Sequence, residues 1–451
     1  MKSGPVHPVN GPASPVQPPF DGEATRRTGG GEGNWLFLRR SRAGANRRPA
    51  RTVLFTVLPL IHNIQLNRTT MLQSMTSAKR VRFRSNQRKD DFIKDLRGRV
   101  NEYFERTGKS QYANTEMYIK TVVAVTAWIA TYAVIVSDVL SGSFWTLAAG
   151  YTFLGYVNIF IAFNIMHDAT HEAYSPNKKI NKILGYSMDF IGGNQYLFRR
   201  MHGAHHGYVN IKGIDVTMES HGMFRFTPDE PWKPFHRFQH FYTFVLYSLA
   251  MIHWILVKDF KWMFGEAHIG NQKNIQHPRE EKIILVVGKL LYYTLTLFIP
   301  IAVLSAAWWQ VLVAWVILHI MPGLTFALMF QVTHVYDGTT YPKPDGDGNI
   351  ENNYALHVVE TTADFSRHNK LGTWLMGGIN IHVMHHILPT VCHVHYAELT
   401  DILVDCCEDH GIEYQHNESF WIALKKHYKI LKHLSHEDAT VPRIGKSALL
   451  V

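Results

Sequence analysis

The sequence predicts an all-α integral membrane protein in which four transmembrane helices form two hairpins beneath a cytoplasmic helical cap. Four long apolar segments are each close to the roughly 20 residues that a helix needs to cross a bilayer. They fall into two consecutive pairs, and each pair is joined by a short uncharged turn. A strongly basic stretch precedes the first pair. Since basic flanks mark the cytoplasmic side of a membrane, both hairpin mouths are predicted to face the cytoplasm.

The predicted spans are residues 118–140, 144–166, 283–304 and 308–330. Lys289 lies early in the third span, and we expect its ammonium group to reach back to the interface along its aliphatic stem. Segment 241–257, FYTFVLYSLAMIHWILV, is as apolar as a span but has only 17 residues. Because a crossing there would invert the second hairpin, we expect this segment to lie in or dip into the cytoplasmic face.

The predicted membrane domain covers residues 118–434, with a basic amphipathic flank at 76–117 and a C-terminal tail at 435–451. The flank includes FIKDLRGRVNEYF, which predicts a helix lying on the surface. Residues 1–75 are rich in proline, glycine and arginine and cannot bury a core. They are interpreted as disordered or as a mis-annotated extension, with Met71 or Met75 as the start. The alternative is a signal or transit segment built on VLFTVLPLI, which is too short to span.

Composition narrows the function classes. The net charge of +10 could indicate nucleic-acid binding, but the basic residues concentrate beside the first span and are interpreted as a membrane flank. A mean hydropathy of -0.11 excludes a chain that is membrane throughout and fits a few spans with a large aqueous part. The three cysteines, Cys392, Cys406 and Cys407, lack the paired spacing of a zinc module and predict a reducing compartment.

Three histidine motifs carry the chemistry. HDATH ends the second span, HGAHH follows about 30 residues later, and HVMHH repeats the same spacing some 180 residues downstream. Histidines at i, i+3 and i+4 share one helix face, where their ring nitrogens can converge on one ion. A ninth histidine, His334, lies where the fourth span ends and is also a candidate metal ligand. The candidate ligands are His167, His171, His202, His205, His206, His334, His382, His385 and His386.

Eight or nine imidazoles are too many for one ion, so the sequence predicts two metals that share the set. Imidazole suits zinc, copper, iron and nickel alike. An all-histidine dimetal site next to lipid favours iron that activates O₂ to attack an unactivated C–H bond. Asp168, Asp215 and Glu360 lie near the motifs and either orient the ligands through the second ring nitrogen or are ordinary solvated carboxylates.

The three motifs and their spacing around two hairpins resemble the histidine boxes of membrane fatty acid desaturases. Further stretches, among them HEAYSPNKKINKILGYSMDFIGGN, YVNIKGID and VVETTADFSRHNKLGTWLMGGIN, are similar to the bacterial acyl-lipid and linoleoyl-CoA desaturase-like branch, and the resemblance covers roughly residues 75–434. It implies that the eight box histidines, and His334, bind two iron ions. It also implies site-shaping roles for a second set of residues: Asn210, Glu360, Gly377, Gly378 and Asn380.

One departure concerns the third motif. Front-end members of the branch have QVEHH, whereas this chain has His382 and Met384, which keeps a nitrogen ligand but leaves the position of the double bond open. The HPGG mark of a fused cytochrome b5 domain is missing, so a separate cytochrome b5-like or ferredoxin carrier is expected to supply electrons.

The expected activity is desaturation of a long acyl chain with O₂ and two electrons. A di-iron lipid hydroxylase is the nearest alternative, because the same oxidant can place oxygen on the carbon. A histidine-rich metal transporter is the remote alternative. It would need polar ligands that face one another inside the spans, whereas these spans are nearly free of them and the histidines lie outside.

Overall fold

The computed structural model describes residues 81–84, 87–215, 217–218, 222–265 and 275–440. The interpretations given to residues 1–75, including the two alternative start sites, lie outside the described residues. Most of the predicted C-terminal tail lies outside them as well.

The described chain is helical, with two short strand pairs. The α-helices are Gln87–Thr107, Thr115–Val136, Phe144–Ile161, His167–Thr170, Lys178–Gly185, Ser187–Phe190, Gln195–Gly207, Gln239–Ser248, Ala250–His253, Asp259–Phe264, Arg279–Tyr293, Ile299–Val303, Trp308–His334, Tyr354–Thr361, Lys370–Leu375, His382–Ile387, Tyr396–Asp409 and Phe420–His433. Three π-helical segments, Ala162–Met166, Trp254–Lys258 and Thr294–Phe298, continue longer helices, and Pro234–Phe238 and His393–His395 are 3₁₀-helices. The parallel strand pairs are Arg82–Phe83 with Asn349–Ile350, and Asp364–Phe365 with His416–Asn417.

Within the described residues, four helices are long and apolar enough to cross a membrane, and they correspond to the four predicted spans. They are Thr115–Val136, Phe144–Thr170, Arg279–Val303 and Trp308–His334. The second and fourth extend about one turn beyond the predicted ends, because neither a charge nor a helix breaker stops them before the histidines. The helices themselves therefore carry His167 and His334, and His171 caps the end of the second span.

The predicted segment 241–257 falls in a helix pair, Pro234–Ser248 and Ala250–Phe264, that is bent by 57°. Its length and composition fit a broken span or a re-entrant segment. The prediction that it stays on one face of the membrane remains a prediction.

The second and fourth spans form the centre of the bundle. Within their most apolar stretches, 61% and 44% of the residues are buried, against 22% and 28% in the first and third spans. A Cβ at Gly155 would lie 2.3 Å from the carbonyl oxygen of Leu318 and 2.6 Å from Pro322. Glycine therefore lets the two central helices approach closely.

Both turns between consecutive spans lie at one end of the bundle. Asp138, in the first turn, accepts hydrogen bonds from the Ser305 amide at 2.8 Å and from the Ser305 hydroxyl at 3.1 Å, in the second. The central helices run from this end towards His167 and His334. The motif histidines of these helices consequently share the opposite end.

The helix predicted in the basic flank is present as Gln87–Thr107. Four of its buried residues, Phe92, Leu96, Val100 and Phe104, recur at four-residue intervals. They pack against the helix Tyr396–Asp409, so a second helix covers this apolar face.

The expectation for Lys289 was wrong. Its side chain is buried, and Nζ lies 2.7 Å from the Asp259 carboxylate and donates to the Gly192 carbonyl at 2.6 Å. Partners from two other segments satisfy the ammonium group inside the protein, so it has no need to reach water. Those partners are distant in sequence, and the span alone could not reveal them.

We expect Gly155→Ala to destabilise the bundle by about 1–3 kcal/mol, because overpacking forces the two central helices apart. Thermal unfolding in detergent measures this, with Gly98→Ala as control, since a Cβ at Gly98 meets nothing within 4 Å. Equal melting temperatures for the two variants would contradict the close approach.

Candidate metal centre

The nine candidate histidines converge although they come from four separate elements. The first motif ends the second span, HGAHH lies on Gln195–Gly207, HVMHH forms most of His382–Ile387, and His334 is the last residue of the fourth span. All except His171, which is half-buried, have less than a tenth of their surface exposed.

Eight of them form two groups of four. In each group, one ring nitrogen from every residue lies within 4.8 Å of the others. The first group is His167, His171, His202 and His385, and the second is His205, His334, His382 and His386.

The closest contacts within the groups join ring nitrogens. Nε2 of His167 lies 3.0 Å from Nε2 of His202, and Nε2 of His205 lies 3.2 Å from Nε2 of His334. Two such nitrogens can share only one proton, whereas a cation between them could use both lone pairs.

His206 stands between the two groups. Its Nε2 lies 3.1 Å from Nε2 of His202, and its ring centroid is 4.5 Å from that of His385 in the first group. The ring also stacks on His386 of the second group at 4.2 Å. His206 could therefore serve either metal position.

The donor set fits metal ions. Buried ring nitrogens without a protein partner are found on most of the motif histidines: Nδ1 of His167, His206 and His334, Nε2 of His171 and His385, and both nitrogens of His382 and His386. Buried polar atoms are rarely left without a partner, so their concentration on these rings fits a set of metal ligands.

Burial keeps these rings neutral. It is the main cause that lowers the pKa of six histidines well below its usual range, and the neighbouring rings lower it further: His171, His202, His206, His382, His385 and His386. A neutral imidazole is the form that binds a metal, so this environment prepares ligands at pH 7.

Asp215 orients a candidate ligand of the second group. Its Oδ2 lies 2.9 Å from Nδ1 of His205 and accepts the Asn210 amide at 2.9 Å. Burial alone would raise the pKa of Asp215, but the nearby His205 ring and hydrogen bonds from Thr217 bring it below its usual value. The ring is held with Nε2 facing His334, the arrangement in which a carboxylate fixes a metal-binding histidine.

Asn210 ties the second motif to the fourth span. Its side-chain amide donates to the backbone carbonyl of His334 at 3.0 Å and to that of Thr361 at 3.1 Å. Its backbone φ of 56° lies in the left-handed region, which asparagine tolerates better than most residues.

The loop before the third motif is pressed against the second span. Gly377 has φ 58°, and a Cβ there would lie 2.5 Å from the Phe163 carbonyl oxygen. Gly378 has φ 71° and lies against His393. Asn380 fastens the loop by donating to Thr373 Oγ1 at 2.9 Å and accepting the Phe365 amide at 3.0 Å.

Three residues that sequence reasoning missed fix the third motif. Asp364 accepts the Val383 amide at 2.8 Å, the Tyr396 hydroxyl lies 3.1 Å from Nδ1 of His385, and the Tyr354 hydroxyl reaches the His386 carbonyl at 2.9 Å. All three residues lie outside HVMHH, so the spacing within that motif could not identify them.

Asp168 is placed differently from the expectation that it orients a motif histidine. Its Oδ2 lies 2.8 Å from Nδ1 of His393 and accepts from the Cys392 thiol at 3.0 Å. His393 Nε2 lies 2.9 Å from Nζ of Lys120, which is buried. This polar cluster was missed, although a lysine inside a predicted span is itself a signal of a buried partner.

Glu360 lies on the helix Tyr354–Thr361 and is half-buried. Its carboxylate accepts from the Asn352 amide at 2.5 Å, and its backbone carbonyl accepts from the Thr340 hydroxyl at 3.1 Å. These contacts join it to the segment that follows the fourth span.

An apolar cavity lies beside the first histidine group. Its lining includes Ile159, Met166, Met188, Phe198, Trp254 and Phe326. The Phe198 ring stacks on His202 at a centroid distance of 4.9 Å. An apolar chain in this cavity would therefore lie next to the candidate metal position.

We expect metal-free protein to lose stability as the pH falls below about 6.5. The unfolded chain binds protons near that ordinary histidine value, whereas the six rings with lowered pKa in the folded chain do not, so acid favours unfolding. Thermal unfolding in detergent from pH 8 to pH 5 measures the effect. A melting temperature constant over this range would contradict it, and metal-loaded protein should show a steeper loss, because protons also displace metal.

Comparison with known proteins identifies the family. The model of the family described as fatty acid desaturase matches residues 142–418. The chain is 32% identical over 361 residues, 79% of its own length and 98% of the relative's, to an sn-1 linoleoyl-lipid 6-desaturase of Synechocystis sp.. It is 31% identical to a protein of the same name in Arthrospira platensis, covering 77% of this chain and 94% of that one. An acyl-lipid (8-3)-desaturase of Physcomitrium patens is 28% identical, over 76% of this chain and 71% of that one. With its histidines arranged in two groups of four, the chain belongs to the fatty acid desaturase family.

Proposed function

We propose that this fatty acid desaturase introduces a double bond into a long chain carried as an acyl lipid or acyl-CoA, using O₂ and two electrons from an external donor. The convergence of nine histidines, eight of them buried, in and between two groups is the observation that carries this proposal. The donor would be a separate cytochrome b5-like or ferredoxin carrier.

Two iron ions are the proposed cofactor. His167, His171, His202 and His385 would hold one ion, and His205, His334, His382 and His386 the other, with His206 available to either. When bound, the iron pair would activate O₂, which is the oxidant that removes hydrogen from an unactivated C–H bond.

The protein itself contributes position and exclusion of water. Asp215 and Tyr396 hold the rings of His205 and His385, one in each group. The apolar cavity would hold the part of the acyl chain whose methylene pair faces the histidines, and a fixed geometry of this kind accounts for a large part of catalysis in general. Phe198 and Met166 would form the wall of the cavity nearest to the rings.

We further propose that the three motifs face the cytoplasm. The two turns lie together at the far end of the bundle, where Asp138 bonds Ser305, and the basic flank precedes the first span. Spans joined in two hairpins would then return both times to the cytoplasmic face.

Purified protein is expected to contain about two irons per chain, because eight or nine imidazoles exceed the capacity of one site. His385→Ala should lower iron content and abolish activity, while exposed His368→Ala should change neither. Elemental analysis of protein in mild detergent gives the count. Active protein that holds stoichiometric zinc and no iron would overturn the assignment.

Cysteine introduced at Ser141 or Ser305 is expected to react with impermeant reagents only from the side opposite the cytoplasm. The chain suits this assay because its three native cysteines are buried. Labelling of either position from the cytoplasm would refute the proposed orientation.

Cells that express the protein with a competent electron donor should accumulate a newly unsaturated acyl chain. Gas chromatography with mass spectrometry of cells fed saturated and monounsaturated precursors detects it. We expect His382→Gln to retain reduced activity with an unchanged double-bond position, since glutamine can still offer a ligand atom. Hydroxylated chains as the main product, without new unsaturation, would favour the di-iron hydroxylase instead.

A further inference from the structure

A buried ion pair lies behind one wall of the apolar cavity. Lys289 and Asp259 have side chains that are 3% and 0% exposed, and their charged atoms are 2.7 Å apart. Lys289 also donates to the Gly192 carbonyl at 2.6 Å. The pair thus joins three segments: the third span, the bent helix pair and the turn ahead of the second motif.

Stability alone is a weak explanation for this pair. Removing two charges from water costs about as much as their attraction returns, and apolar replacements of similar volume are often neutral or stabilising. A fully hydrogen-bonded pair does fix one geometry. The pair is therefore better explained by the neighbouring side chain that it holds in place.

The pair fixes the indole of Trp254. Asp259 Oδ1 accepts the Trp254 Nε1–H group at 2.9 Å, and the indole ring lines the cavity. The indole lies 6.0 Å from the Phe198 ring, with 26° between their planes, and Phe198 stacks on His202. A row of stacked rings therefore runs from the ion pair to a candidate metal ligand.

Lys289 also binds a second segment of the cavity wall, the turn at Gly192. Gly192, whose carbonyl it binds, has φ 98°, and a Cβ there would lie 2.8 Å from the Tyr292 ring. The next residue, Gly193, lines the cavity. One ammonium group thus sets the distance between Trp254 and this turn.

We propose that Asp259 and Lys289 are positioning residues that set the wall of the acyl slot at Trp254. They thereby select which methylene pair faces the histidines and which chain lengths are accepted. This proposal rests on the desaturase activity proposed above. Trp254 touches the chain, and the ion pair acts through it.

The test replaces the pair by apolar residues of similar size, Asp259→Leu with Lys289→Met, in the full chain in membranes. Cells receive equal amounts of C16 and C18 precursors, and mass spectrometry gives the chain-length ratio and the double-bond positions. We expect unchanged metal content and a shift in one of these ratios of about fivefold or more, since small misplacements of a substrate have large effects.

Trp254→Phe should shift the same ratio in the same direction. Adding Trp254→Phe to the double variant should not shift the ratio further, because the effects of residues that act through one group are not additive. Additive shifts would show that the pair does not act through Trp254 and would overturn the proposal. If the double variant fails to fold, Trp254→Phe decides alone, and an unchanged ratio overturns the proposal.

Trp315→Phe is the matched control. It also removes an indole hydrogen bond, of 3.0 Å to Thr296 Oγ1, in the same bundle, but Trp315 does not line the cavity. We expect wild-type ratios from it. A double variant with full metal content and wild-type ratios would refute the inference, whereas a wild-type protein that forms no unsaturated product would refute the proposed function instead.

Discussion

The structure depends on the convergence of nine imidazoles, eight of them buried, with ring nitrogens that face one another. Contacts of 3.0–3.2 Å between Nε2 atoms are stable only if a proton or a cation lies between the rings, and burial disfavours the charged ring. A cation is the natural solution, since it satisfies several rings at once. The surrounding fold must then hold the four contributing elements in place, because rings that diverge would lose the shared ion.

Close backbone approach provides this restraint. Gly155 brings the second and fourth spans together, and these two helices end in His167 and His334. Gly377 brings the loop before the third motif against Phe163, one turn before His167. Asp364 then fixes the start of the third-motif helix through the Val383 amide. Glycines without side chains and one buried carboxylate thus set the relative positions of the motifs.

Local patterns in the sequence predicted the four spans and the nine histidines, because both depend on spacing along a helix. These patterns could not predict which histidine belongs to which of the two groups. His385 and His386 are neighbours in sequence but belong to different groups, and so do His202 and His205. Asp168 and Lys289 were misjudged for a related reason, since their partners, His393 and Asp259, come from distant elements. Tertiary contacts decide which group a ligand joins and where a charge finds its partner.

The two candidate metal positions are not electrostatically equivalent. In the second group, His205 bonds the carboxylate of Asp215, which makes its imidazole a stronger electron donor. In the first group, the corresponding contact of His385 is the neutral hydroxyl of Tyr396. The apolar cavity lies beside the first group, through Phe198 and His202. The Asp168 carboxylate also acts on the first group, through its charge near His167 and His171, but its hydrogen bond goes to His393. The two groups therefore differ in how a carboxylate reaches them, by a direct hydrogen bond to His205 in the second group and by charge alone in the first, although histidines supply both candidate ligand sets.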